Sequence, residues 1–296
     1  MTTEANRPLL ALGIVALCTM MFAVSDVFSK SLVERHPVAL VVAVRYASSL
    51  ALLFIFVWPR VRSKLWRTTR PWMVMGRGVT LTLASLTMGL ALRLMPVGET
   101  ISILYLSPFA VMLIGIPILG ERVSPLGWFL AVLGFCGVLL ILRPGSGLDP
   151  MGVLWALINA SLATLFHLQT RILSRSESSI AMLFYVTWIG ALGSAAMALP
   201  NLPETMPDTM DLAQMALLGA LATSGHFLFA VAYGLAPASI VAPAGYLHLV
   251  WAALLGLVVF GHVPAALTVL GMVLILGAGV ANALHAQGAA RKARAP

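Results

Sequence analysis

Long apolar stretches, joined by short polar connections, constrain this chain more than any other feature. We count ten of them, at 9–31, 37–58, 72–95, 97–119, 123–142, 151–173, 179–199, 211–235, 238–260 and 264–285. A helix that crosses the hydrocarbon core of a bilayer needs about 20 predominantly apolar residues. The sequence therefore predicts an all-α integral membrane protein with ten transmembrane helices.

The composition supports the same class. Charged residues make up only 9% of the chain and hydrophobic residues 60%, whereas a soluble domain carries about 25% charged residues. The net charge of +8 does not indicate nucleic-acid binding, because the basic residues cluster in connections and at the C-terminus. That placement is typical of the signals that orient membrane helices.

The distribution of Lys and Arg predicts the orientation. With the N-terminus in the cytoplasm, twelve of the 18 basic residues fall on the cytoplasmic side and four on the outer side. Basic residues are enriched in the cytoplasmic connections of membrane proteins. We therefore expect both termini in the cytoplasm, residues 286–296 as a basic cytoplasmic tail, and a multi-pass protein of the bacterial inner membrane.

The two halves of the chain are related by an internal repeat. Pro96 and Pro237 lie in similar tetrapeptides, and their separation of 237 − 96 = 141 residues also relates Tyr105 to Tyr246. Each copy contains five predicted spans, an odd number, so the two copies must cross the membrane in opposite senses. Inverted repeats of this kind are characteristic of secondary transporters.

Short motifs in a fixed order resemble the drug/metabolite transporter superfamily, and specifically its EamA-type ten-helix exporters. The motifs that carry the resemblance are Arg45, Met95–Glu99, Leu106–Pro108, Leu119–Glu121, Arg143–Gly145, Ser224–His226, Ala236–Ser239, Tyr246, Trp251 and Phe260–Pro264. They extend over essentially the whole chain. His262 departs from the pattern, because the family usually places Glu at that position.

The resemblance implies a fold, a cavity and an activity. We expect five-helix repeats at 9–142 and 151–285, and a central cavity lined mainly by predicted helices 1, 3, 4, 6, 8 and 9. The implied activity is export of amino acids or related metabolites.

Several charged side chains are candidates for binding or gating. Glu99 lies at the start of predicted helix 4. There it either contacts substrate or is an N-terminal acid that the helix dipole stabilises. Asp26 and Lys30 lie four residues apart and can pair on one helix face. His167 and Arg171 repeat that spacing in predicted helix 6, and the two pairs either gate the cavity ends or form structural contacts.

Other ionisable residues lie deeper in the predicted spans. His226 and His248 either couple transport to protons, since imidazole titrates near neutral pH, or form buried helix contacts. Arg45 is a candidate for binding a substrate carboxylate and needs a partner. Arg77 has the same chemistry, but its position favours a side chain that reaches the lipid headgroups.

Aromatic residues and prolines complete the candidate site. Tyr105, Tyr246 and Trp251 offer apolar faces with one polar edge, for substrate binding or for packing. Pro108 and Pro243 lie within predicted spans, where proline removes a backbone donor and kinks the helix. We predict that they act as hinges.

The sequence favours a transporter over an enzyme. Ser224 and His226 are the best ingredients of an intramembrane hydrolase, but residues two apart on a helix point away from each other. The histidines lack metal-ligand spacing, so we expect no metal and no cofactor. The leading hypothesis is an exporter of amino acids or similar zwitterions, expected as a monomer rather than a dimer, which contacts membrane lipid and no nucleic acid. Export of lipophilic cations or of nucleotide-type metabolites is the alternative.

Overall fold

The protein is helical throughout the part of the chain that the structure describes. The computed structural model describes residues 7–119, 124–143, 145–174, 176–236, 241 and 243–292, without the side chains of 115–119, 201, 230 and 286–292. No strand occurs in these ranges.

The first half of the chain contains seven α-helices whose ends the structure describes. They are α1 (Pro8–Arg35), α2 (Val38–Leu52), α3 (Trp58–Val61), α4 (Pro71–Leu94), α5 (Val97–Leu104), α6 (Leu106–Leu119) and α7 (Pro125–Ile141). A π-helical turn at Leu53–Val57 joins α2 to α3, and a 3-10 turn at Arg62–Leu65 follows.

The second half contributes five more. They are α8 (Pro150–Leu173), α9 (Ser179–Ala198), α10 (Thr209–Leu235), α11 (Leu247–Phe260) and α12 (Ala266–Lys292), with a 3-10 turn at Leu199–Asn201.

Local sequence explains several helix ends. The side chains of Ser124, Asp149 and Ser178 each accept a hydrogen bond from the backbone N–H three residues on, at the starts of α7, α8 and α9. Such caps satisfy backbone donors that the helix leaves unpaired. Gly261 ends α11 in the left-handed region, at φ 66°, which favours glycine.

The ten predicted spans are confirmed as apolar helical segments. Eight are long enough to cross a membrane, and two, Pro125–Ile141 and Leu247–Phe260, are shorter. Large apolar side chains project outward from them: Phe129 is 62% exposed, Phe227 66% and Val258 77%. Such surfaces are incompatible with water and suited to lipid.

Two predicted spans are interrupted, which the predicted ranges 97–119 and 238–260 do not show. The first divides at Tyr105 into α5 and α6. Pro108 explains this break, because it has no N–H to donate to the carbonyl of Leu104. The second contains a turn at residues 245–246, directly before α11. The predicted break at Pro237 lies outside the described residues.

The helices group into two compact units. Unit 1 comprises Met1–Val27, Pro96–Leu148 and Thr223–Pro296. Within it, α7 packs on α12 and α5 on α11. Gly137 and Gly271 face each other, because a Cβ on either would lie under 3 Å from the carbonyl oxygen of the other. The absence of side chains at these two positions thus allows α7 and α12 to pack closely.

Unit 2 comprises Phe28–Met95 and Asp149–Ala222, with α4 against α8 and α9, and α2 against α9. Asn159 of α8 donates to the carbonyl oxygen of Ala84 in α4 at 2.6 Å. Tyr46 of α2 packs over Gly190 of α9, where a Cβ would lie 2.5 Å from the Tyr46 ring. In unit 2, α4, α8 and α9 therefore run without interruption and are held by close packing and buried polar contacts.

Contacts between helix ends and connections agree with the predicted alternation of sides. Each joins two segments that the orientation places on the same face of the membrane. On the predicted outer face they are Arg35–Asp211 and Arg143–Thr268, and on the predicted cytoplasmic face Arg70–Glu177 and Ser124–His285. Which face is cytoplasmic stays a prediction from the basic residues.

Candidate functional site

Two tyrosines stack at the interrupted helices of unit 1. Tyr105 follows α5 and Tyr246 precedes α11, and their ring centroids are 4.9 Å apart with an interplanar angle of 28°. These are the two tyrosines that the 141-residue offset relates. The breaks and the stacked rings therefore occur at equivalent points of the two copies.

The backbone at the second break is held by the first tyrosine. The Tyr105 hydroxyl donates to the carbonyl oxygen of Gly245 at 3.0 Å, and the His248 N–H donates to the same oxygen at 3.2 Å. Non-helical backbone at membrane depth persists only where protein or a polar cavity satisfies its groups. Tyr105 supplies one such partner.

A carboxylate and an imidazole meet beside the tyrosines. His248 Nε2 lies 2.8 Å from Asp26 Oδ2, with 13% and 18% of the two side chains exposed. The His248 ring is 6.3 Å from that of Tyr105. Both members of the pair were candidates from the sequence, but in separate roles. Lys30, the predicted partner of Asp26, contacts Glu34 at 2.8 Å and the carbonyl oxygens of Leu92 and Met95.

Phe22 joins this group, and the sequence reasoning missed it. Its ring centroid is 5.1 Å from that of His226 and 6.1 Å from that of His248. Gly225 makes room for the ring, since a Cβ there would lie 2.6 Å from it. Phe22 lies one helical turn before Asp26 on the same face of α1, and that spacing was the available signal.

Trp251 adds a donor. Its Nε1 is buried and has no hydrogen-bond partner among the described residues. It lies one turn after His248 on α11. A buried unsatisfied donor is uncommon in native proteins and calls for an explanation. We refer to Phe22, Asp26, Tyr105, His226, Tyr246, His248 and Trp251 as the aromatic–acid cluster.

Glu99 lies elsewhere in unit 1. Only 3% of the residue is exposed, and its Oε1 is 2.8 Å from His262 Nε2. Its Oε2 is buried without a partner among the described residues. His262, noted from the sequence only as a departure from the family pattern, is therefore the partner of the predicted binding carboxylate.

The arginines lie in unit 2. Arg45 donates to the Ser85 hydroxyl at 3.0 Å, and its guanidinium carbon is 4.9 Å from the Tyr46 ring centroid. Arg77 is only 8% exposed. The prediction that it reaches the lipid headgroups is wrong, because it donates to Thr170 Oγ1 at 2.8 Å and to the carbonyl oxygen of Met182 at 3.1 Å.

The remaining candidates are dispersed. His167 and Arg171 lie one turn apart on α8 with exposed side chains. Pro108 is exposed in the first turn of α6, and Pro243 lies just before the turn that precedes α11. The described residues contain no group of three His, Cys, Asp or Glu side chains that could hold a metal ion. The gating and binding roles of all these residues stay predictions.

Outside the spans, Glu177 fastens two connections. Its Oε1 accepts hydrogen bonds from the Thr69 hydroxyl, the Thr69 N–H at 2.9 Å and the Arg70 N–H at 3.0 Å. Burial opposes ionisation, but these donors outweigh it and lower the pKa of Glu177 below its ordinary value of 4.5. The carboxylate therefore holds the α8–α9 connection against the segment that precedes α4.

Comparison with known families identifies two matching regions. The EamA-like transporter family matches residues 9–143 and again residues 150–282. The two starts differ by 150 − 9 = 141 residues, which equals the offset between Pro96 and Pro237. The internal repeat is thus confirmed.

Named transporters align with most of the chain. A riboflavin transporter of Rhizobium johnstonii is 30% identical over 220 residues, covering 72% of this chain and 70% of the relative. An S-adenosylmethionine uptake transporter of Rickettsia prowazekii is 26% identical, with 86% of each chain covered. A pseudopaline exporter of Pseudomonas aeruginosa is 26% identical, with 90% and 94% covered.

A solved crystal structure shares the fold. It superposes with a TM-score of 0.67 at 21% identity and covers 98% of this chain and all of the other. At that identity the likeness shows the fold alone.

Proposed function

The chain belongs to the EamA-like transporter family of the drug/metabolite transporter superfamily, and from that premise we propose that it exports amino acids or related small metabolites by alternating access. Transport of small metabolites across the inner membrane is the activity of the family. We propose the aromatic–acid cluster as the place where this chain binds its substrate.

The observation that carries the proposal is the combination of groups in that cluster. Asp26 offers a carboxylate to a substrate ammonium group, and the faces of Tyr105 and Tyr246 attract the same cation. The unpartnered Trp251 Nε1–H is a donor for a substrate carboxylate. A zwitterion with an apolar or flat side chain satisfies all three.

The charge balance of the cluster supports a cation or a zwitterion over an anion. The cluster holds one carboxylate and two imidazoles, and it contains neither Lys nor Arg. A buried anion without a fixed positive partner is costly. Arg45 and Arg77, the cations expected to bind a carboxylate, are held by neutral groups within unit 2. We infer that both arginines stabilise that unit.

The interrupted helices support movement. A break in each copy, at residues related by the repeat, gives both halves a point about which a helix can bend. Discontinuous helices beside a midplane binding site are characteristic of secondary transporters. We propose that Pro108 and Pro243 set these points, with the bending itself at residues 104–106 and 245–247.

The relatives support an alternative cargo. Their names specify riboflavin, S-adenosylmethionine and pseudopaline. S-adenosylmethionine carries an α-amino acid group, a sulfonium cation and a flat purine, and the cluster offers a partner for each. Nucleotide-type metabolites are therefore the second candidate for this chain.

Counterflow in proteoliposomes tests the proposal without assuming a direction. Vesicles loaded with an unlabelled compound are diluted into a trace of the same labelled compound, for a panel of amino acids, S-adenosylmethionine and riboflavin. We expect exchange of one or more amino acids. Trp251→Phe should raise KM about tenfold, because a hydrogen bond to a charged group contributes about 1.5–3 kcal/mol.

The matched control is Trp72→Phe, an indole that is 83% exposed at the start of α4, which should leave KM unchanged. Exchange of riboflavin or S-adenosylmethionine without any amino acid would remove the leading substrate class. Efflux of substrate from preloaded cells then tests the export direction. Accumulation of substrate inside the cells against its concentration gradient would indicate uptake instead.

A further inference from the structure

We propose that Glu99 is a proton-binding site, served from the aqueous phase through His262. The site lies in unit 1, and its hydrogen-bond contacts are separate from those of the aromatic–acid cluster. Proton binding at Glu99 does not depend on the proposed substrate. Its coupling to transport rests on the proposed function.

Glu99 and His262 differ in how deeply they are buried. Glu99 is 3% exposed, whereas 39% of the His262 side chain is exposed. Glu99 Oε1 and His262 Nε2 are 2.8 Å apart, a distance at which one proton lies between them. The imidazole therefore has one nitrogen on the carboxylate and a side chain that water can reach.

The second carboxylate oxygen supports protonation. Glu99 Oε2 is buried and has no partner among the described residues. An ionised carboxylate normally collects several donors when it leaves water, and an uncompensated one is expensive. Among the residues that the structure describes, Glu99 has one donor group, the imidazole of His262.

The helices packed against α5 supply no other compensating charge among the described side chains. α6 has no ionisable side chain there, and α7 has only Cys136. His248 on α11 and Tyr105 belong to the aromatic–acid cluster. His285 lies near the far end of α12.

Arg143, which follows α7, is held elsewhere. Its Nη1 donates to the carbonyl oxygen of Leu140 at 2.7 Å and to Thr268 Oγ1 at 3.3 Å. Among the described side chains, His262 is therefore the ionisable group in hydrogen-bond contact with Glu99.

The proton moves by a balanced relay. A proton from water binds His262 Nδ1, while the proton on Nε2 passes to Glu99 Oε1. Before the relay the pair is a neutral imidazole and a carboxylate with a net charge of −1. Afterwards it is a neutral imidazole and a carboxylic acid. One proton is taken up and one buried negative charge is lost, which favours burial of the pair.

Infrared difference spectroscopy of the reconstituted protein tests this directly. The pH is stepped from about 8 to about 5, the range in which histidine titrates, and the carbonyl stretch of a protonated carboxylic acid is recorded. We expect the band in the wild type and in Glu204→Gln, an exposed control acid. We expect its loss in Glu99→Gln.

His262→Gln is the second variant. Glutamine retains a donor to Oε1 but cannot relay a proton, so the Glu99 band should shift in frequency and form more slowly after the pH step. This variant alters a partly exposed residue, so it serves even where Glu99→Gln lowers the folded yield.

The proton site and its coupling to transport are tested by different results. An unchanged band in Glu99→Gln, or no band in the wild type over this range, would overturn the proton site. The infrared measurement needs no substrate. Its result therefore remains valid even if the counterflow assay shows no exchange of any amino acid. Where exchange is found, its dependence on external pH should flatten in both variants, and an unaltered pH profile would overturn the coupling.

Discussion

Units 1 and 2 differ in most of their buried polar contacts, although a buried acid meets a histidine in both, since Asp211 lies against His36 in unit 2. In unit 2, Arg45 and Arg77 donate to hydroxyl and carbonyl oxygens that do not titrate. In unit 1, Asp26 and Glu99 each meet a histidine, and the Trp251 Nε1–H has no partner among the described residues. Satisfied neutral networks fix a structure, whereas titratable pairs and unused donors are characteristic of functional sites.

The helices differ in the same sense. Unit 2 is built on α4, α8 and α9, which run without interruption, while unit 1 contains the breaks at Tyr105 and at Gly245–Tyr246. We infer that unit 2 is a scaffold and that unit 1 carries substrate and protons. The predictions below test that division of roles.

The largest effect is expected at Asp26. Asp26→Asn keeps the shape of the side chain and removes its charge, so counterflow should fall about 10- to 100-fold at equal folded yield, since a charged hydrogen bond contributes about 1.5–3 kcal/mol. Rates per folded protein are measured by counterflow, with yield from size-exclusion chromatography. Glu204→Gln is the control. If the folded yield fell as much as the counterflow rate, Asp26 would have a structural role. The contrast between unit 1 and unit 2 would then not hold.

Arg77→Gln should show the opposite pattern. It removes donors to Thr170 and Met182 and the stacking on Phe166, whose centroid is 4.2 Å from the guanidinium carbon. We expect a loss of about 2 kcal/mol of stability, seen as a lower melting temperature in detergent, with transport per folded protein retained. Arg93→Gln, exposed on the same helix, should change neither. A rate lost without a change in melting temperature would place Arg77 in transport.

Tyr105→Phe tests the role of the break in unit 1. It keeps the stacked ring and removes the hydrogen bond to Gly245. One neutral hydrogen bond contributes about 1 kcal/mol, so we expect about a fivefold lower maximal rate with KM nearly unchanged. Tyr233→Phe, with an exposed ring, is the control. A raised KM instead would indicate direct contact of the hydroxyl with substrate.

Glu177 gives the smallest effect. Its pKa is lowered in the folded protein, so its stabilising contribution is complete above about pH 4.5, the unfolded value. It is lost as the pH falls through the folded value. The melting temperature of Glu177→Gln should therefore lie slightly below the wild type at neutral pH and converge with it in acid. Parallel curves at all pH values would contradict this account.

Local sequence predicted the spans and the repeat, because apolar length and fixed offsets are properties of neighbouring residues. It did not show the breaks at Tyr105 and at residues 245–246, although Pro108 predicts a kink nearby. Prolines lack a donor, so they perturb the turn that precedes them. The bend therefore lies three residues before Pro108 itself.

Long-range pairing was harder to predict. Asp26 and His248 were both candidates, but 222 residues separate them, and no local spacing indicates which distant groups meet. Helical periodicity gives Lys30 two acids at the same spacing, Asp26 before it and Glu34 after it, and the Lys30–Glu34 contact measures 2.8 Å. Arg77 was misjudged because burial by other helices cannot be deduced from depth along its own helix.

The pair formed by Glu99 and His262 has no counterpart in the duplicated architecture. The offset of 141 residues places Ile240 opposite Glu99 and Glu121 opposite His262, so neither chemical partner is duplicated. A perfectly symmetric carrier would rest equally in its two orientations. If protons reach Glu99 only through His262, as we propose, external pH would change the energy of one orientation more than the other, and substrate would then move more readily in one direction.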